Sequence, residues 1–143
     1  MANIVPDSFK TDLLKGTFNF DSGGDTFKIA LFTSLAGFST STTTYTGAAN
    51  EVASGGGYTT GGETLSNTGV NVGSNIAYLD FGDATWTSAS ITAVGALIYK
   101  SSAGNEAVLV LDFGGTKIST DGDFVVVFPA NDSSNAIIRL GDA

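Results

Sequence analysis

Apolar and polar residues alternate along most of this chain with a period of two, the mark of strands with one covered face. In the stretch 26–31, Phe27, Ile29 and Leu31 fall on one side and Thr26, Lys28 and Ala30 on the other. Further strands are predicted in 63–73 and 75–82, joined by a tight hairpin turn at Gly73–Asn75. More follow in 83–91, which holds Trp86, and in 93–101, 106–115, 122–130 and 135–141. Phe124, Val126 and Phe128 form one strand face and Val125 and Val127 the other, so both faces of that strand are expected to be covered, with Pro129 ending it or marking an edge. Turn chemistry separates the runs: Asp21–Asp25, where Gly23 and Gly24 are expected to supply positive φ, then Ser102–Asn105, and Gly115–Asp121.

The pattern departs from period two at the N-terminus. Phe9, Leu13 and Leu14 have helical spacing, preceded by Asp7 or Ser8 as N-cap and followed by Gly16 at the C-cap position. A helix of about two turns needs a surface to pack on. That surface is either an end of its own fold or a neighbouring subunit. The Thr-rich stretch 36–57 has no strong period and is expected to be an edge strand or an extended loop, and the most mobile and exposed part of the molecule. About seven or eight short strands in 143 residues predict a single all-β domain, 1–143, an antiparallel sandwich or flattened barrel. Residues 1–16 would form an arm and short helix, and 17–143 the β-structure.

Composition narrows the chemistry. The chain has no cysteine and no histidine, which removes disulfides, thiolate nucleophiles, Cys/His zinc sites and the usual neutral-pH base. Six basic residues face fourteen acidic ones, for a formal charge of −8, and the basic residues are scattered, so no nucleic-acid footprint is expected. No apolar run reaches the length of a membrane span, and the first residues do not read as a secretory signal. Charged residues make up 14%, against about a quarter in typical soluble domains.

The stretch Ser54–Ser66 invites a nucleotide-loop reading, but it has no GK[ST] ending and no following helix. Gly56, Gly57, Gly61 and Gly62 are instead read as a structural turn and strand crossing, with Tyr58 anchoring it by packing. Asp80 with Asp83, and Asp121 with Asp123, could in principle work as acid pairs or hold calcium. Both pairs lie in turn sequences, where Asp serves backbone hydrogen bonds. Trp86 and the tyrosines could form a sugar platform, but Trp86 fits the core or a subunit contact better. No catalytic residue, metal site or cofactor is expected.

The order of these pieces resembles small virion structural proteins of tailed bacteriophages. It is carried by Gly56–Gly62, Trp86, Ala96–Tyr99, Asp112–Gly114 and Ile137–Leu140, within a likeness spanning about Phe9 to Leu140. The resemblance implies a non-enzymatic β-protein of the virion, assembled in the host cytoplasm, of capsid decoration or cement type. Its implied partners are the major capsid protein and possibly copies of itself. The alternative is a tail- or fibre-associated receptor-binding module. Candidate subunit contacts are Ile4, Val5, Phe9, Leu13 and Leu14 in the N-terminal segment, and Phe38 and Tyr45 in the loop 38–53.

Overall fold

A computed structural model describes residues 2–47 and 49–142. Among these described residues one helix and nine strands follow in the order α1 (Asp7–Leu14), β1 (Phe27–Phe32), β2 (Glu63–Thr64), β3 (Asn71–Gly73), β4 (Ile76–Leu79), β5 (Ala84–Ala89), β6 (Thr92–Lys100), β7 (Ala107–Ile118), β8 (Gly122–Val126) and β9 (Ile138–Leu140). The strands form three antiparallel sheets, ordered β2-β1-β6-β7, β3-β4-β9 and β5-β8. The fold is all-β and sandwich-like.

The central sheet is covered on both faces. Phe27, Ile29 and Leu31 of β1 join the larger core with Trp86, Phe124 and Val126 from the β5-β8 ribbon and Phe128 just beyond it. Phe20 stacks on Phe27 at 4.5 Å between ring centroids. On the other face Ala30, Phe32, Leu97, Tyr99 and Val110 form a second cluster, roofed by Ile4, Phe38 and Tyr45. Each large side chain buried in this way contributes about 1.5–3 kcal/mol.

The N-terminal arm is strapped to the edge of this sheet. Ile4 and Val110 exchange both backbone hydrogen bonds at 2.9 Å, and Asn3 Oδ1 accepts from the Asp112 amide. Helix α1 then crosses β7 and buries Phe9. Its N-terminus has Pro6 at the cap position and no side-chain cap; Asp7 starts the first turn, and the Ser8 hydroxyl donates to the Thr42 carbonyl instead. At the other end Gly16 takes φ +77, with Gly16 N–H bonded to Leu13 and Thr17 N–H to Asp12, a Schellman arrangement.

Several expectations need correction. Gly23 has positive φ but Gly24 does not; a side chain at 24 would run into the Asn19 backbone and side chain. The run 63–73 is not one strand but β2 and β3, parted by an irregular segment in which Asn67 bridges Phe81 and its side-chain amide donates to the carbonyls of Asp21 and Asp25. Of the two forms open to the Thr-rich stretch the structure has the extended loop: its described residues form no edge strand and touch β-structure through single bridges such as Thr44 to Glu106. The segment 115–118 is strand, not turn. Gly114 and Gly115, at φ +72 and +145, form a bulge in which five residue steps on β7 oppose two on β6. Val125 and Val127 are exposed rather than covered, because β5-β8 is an outer layer with no further sheet over it. The hairpin β3-β4 turns at Ser74 and Asn75, both left-handed, as the primed turns require.

Candidate interaction surface

The small sheet β3-β4-β9 runs partly off the core. Leu79 and Ile138 lie on its inner face and pack against the main cluster. Two residues along on the same face, Ala77 sits between Val72 and Leu140 in one cross-strand row. Val72 is 75% exposed and Leu140 59%, and Val70 continues the same strand face into solvent. Across from this row stands Leu14 at the end of α1, 83% exposed. Two grooves result. One of about 500 Å³ lies between α1, β7 and β9, lined by Val5, Leu13, Leu14, Ile138 and Leu140. The other, about 260 Å³, lies between Leu14, Phe18, Val70, Ala77 and Leu140. Exposed apolar surface of this kind is what a partner, a ligand or a membrane can cover.

Three of the seven candidate contacts, Val5, Leu13 and Leu14, meet at this end of the molecule. Phe9 lies at the groove base and is 4% exposed, so its ring is committed to the core. Ile4, Phe38 and Tyr45 are on the opposite face of the central sheet, where they roof their own fold. Val70, Val72 and Leu140 were not among the candidates. Their signal was the alternation in Val70-Asn71-Val72, which shows a strand but not that its apolar face lacks a cover.

The glycine-rich stretch forms a clasp rather than an empty cradle. Gly55, Gly56, Gly57, Gly61 and Gly62 all have positive φ. A Cβ on Gly57 would lie 2.9 Å from Ala89, and one on Gly62 would overlap the carbonyl of Ile29. The turn is held by Glu51. Its Oε1 accepts from the Tyr58 hydroxyl at 2.7 Å and the Gly61 amide at 2.6 Å, and its Oε2 accepts from the Tyr45 hydroxyl at 2.7 Å. Tyr58 also accepts from the Leu31 amide, and Tyr99, stacked on Tyr45 at 4.3 Å, donates to the Gly61 carbonyl. The polar groups of the cluster thus satisfy one another.

Burial, followed by the contacts with the Glu51 carboxylate, pushes the Tyr45 phenol far above its usual range. Burial also raises Tyr58, against a lowering bond from the Leu31 amide. A phenol raised in the folded state gives stability that is complete below the ordinary value of 10 and is lost as pH climbs above it. Thermal unfolding should therefore show Tm falling from about pH 10 upward. Tyr58→Phe should have a lower Tm at pH 8 and a shallower alkaline decline. An equal slope in both proteins would contradict this assignment.

Three acids of the two candidate pairs are engaged in the fold. Asp80 is buried, and its two oxygens accept from the Phe81 and Ile137 amides; burial raises its pKa. Asp83 accepts from the Phe128 amide, and Asp121 takes φ +47 in the β7-β8 turn, where it bonds Ser90. Among the described residues no three acidic side chains are gathered as a metal site would need, and no helix is long and apolar enough to cross a membrane. Trp86 is 2% exposed inside the core. No family model, curated protein or solved structure matches the chain.

Proposed function

We propose that this protein is a non-enzymatic structural component of a bacteriophage particle, decorating the outer capsid and bracing neighbouring capsid subunits. The observation that carries the reading is the apolar end built from Leu14, Val70, Val72 and Leu140 beside the β3-β4-β9 sheet. Each such side chain, once covered by a partner, contributes about 1.5–3 kcal/mol before the costs of association. Repetition over many shell positions multiplies a modest contact. The buried acids Glu51 and Asp80 are used inside the fold, the one in the clasp and the other in backbone bonds. The aromatic side chains lend little to glycan binding, since Trp86, Tyr58 and Tyr99 are buried.

Copy number in purified particles, measured by quantitative mass spectrometry against the major capsid protein, tests this reading. A count equal to the capsid protein or a simple fraction of it is expected. A few copies per particle would place the protein in the tail or a fibre, and complete absence would sink the virion assignment. Leu14→Asp and Leu140→Asp test the surface itself. Both should fold with stability changed by no more than about 0.5 kcal/mol, as exposed positions do. Both should lose shell binding by tenfold or more in a co-sedimentation assay. Removal of residues 1–15 is a poorer test than sequence alone suggests, because it also strips Phe9 from the core.

A further inference from the structure

The second exposed apolar face lies on the β5-β8 side of the molecule. β7 is the edge of the central sheet, strapped by Ile4 at Val110 but open beyond its bulge, and among the described residues β8 pairs only with β5, so the far half of β7 and the free side of β8 flank a groove as unpaired edges. The groove is about 360 Å³ and is lined by Phe113, Lys117, Ile118, Asp123, Val125 and Val127. Ile118 and Val127 are 69% and 72% exposed. Among the described residues neither Lys117 nor Asp123 has an ion-pair partner within the chain. One charge stands on the β7 wall and the opposite charge on the β8 wall.

We infer that this face is a homodimer interface in which a second copy of the chain seats its β8 edge against the same groove across a two-fold axis. A two-fold interface must be its own complement. This face meets the requirement: valine and isoleucine meet their like, and Lys117 of each copy meets Asp123 of the other. The lining is charge-balanced within a chain of net charge −8, so copies approach here with less repulsion than a uniformly acidic face would impose. Unpaired strand edges with apolar side chains favour edge-to-edge association. The inference does not depend on the capsid role.

Sedimentation equilibrium of the full chain over a micromolar range tests it. The wild type should reach twice the 14.5 kDa chain mass. Lys117→Glu and Asp123→Lys should each weaken dimerisation by tenfold or more, while the double variant Lys117→Glu/Asp123→Lys should recover it to within about threefold. Circular dichroism melts of all four proteins establish that each is folded. A wild type that stays monomeric, or a dimer insensitive to the single changes, would overturn the inference. So would a double variant no better than its parents.

Discussion

Gly62→Ala is expected to leave the protein barely stable at ordinary temperature. Gly62 sits at φ +77, and the space its side chain would need is occupied by the Ile29 carbonyl and the Ala30 Cα. Those atoms are the backbone of β1, which pairs with both β2 and β6 and cannot retreat without breaking the central sheet. The substitution combines backbone strain of about 1 kcal/mol or more with overpacking against an immovable wall, and a loss above about 4 kcal/mol is expected. That is a large part of the 5–15 kcal/mol that typically holds a domain together. Gly57→Ala also carries strain, but its neighbour is Ala89 on the outer β5-β8 ribbon, and a loss of about 2 kcal/mol is expected. Urea unfolding of the two variants checks both magnitude and order. A Gly62→Ala protein as stable as Gly57→Ala would refute the packing argument.

Glu51→Ala should cost about 3–5 kcal/mol, a fall in Tm on the order of 10 °C. The change strands the Gly61 amide and two tyrosine hydroxyls, and the Tyr58 ring is almost wholly buried. Glu51→Gln should cost much less, about 1–2 kcal/mol. The remaining amide oxygen can serve Tyr58 and Gly61, and the new NH₂ can donate to the Tyr45 hydroxyl, which accepts as readily as it donates. Equal losses in the alanine and glutamine variants would mean that charge, not hydrogen bonding, holds the clasp. Differential scanning calorimetry at pH 7 separates the two outcomes.

Strands with large apolar residues at every second position were legible in the sequence. β1 alternates Phe-Lys-Ile-Ala, and Ser74-Asn75 is short and turn-forming, so both could be placed from local chemistry. The run Phe124–Phe128 is apolar at every position and has no polar phase. Its strand was clear, but whether a layer covers Val125 and Val127 depends on how many sheets stack, which no local pattern records. Gly114 and Gly115 misled for a related reason: paired glycines serve a turn and a bulge equally well. Glu51 gave no signal. It is a single acid in a Gly- and Thr-rich stretch, and its partners come together only when the loop folds back over β1. The apolar end divides the same way: Leu13 and Leu14 showed helical spacing, whereas Val72 and Leu140 meet only through the β3-β4-β9 register.

The strap formed by Asn3 and Ile4 has a practical consequence for anyone handling the protein. It occupies the outer edge of β7 at Val110 and Asp112, where a long, regular strand would otherwise offer its backbone to any extended chain. A preparation clipped by protease after Ile4, or strained by a bulky tag fused ahead of it, would carry a bare template on the same strand that already has an open far end. Such material should convert slowly on storage into fibrous, dye-binding polymer, with the intact chain remaining clear.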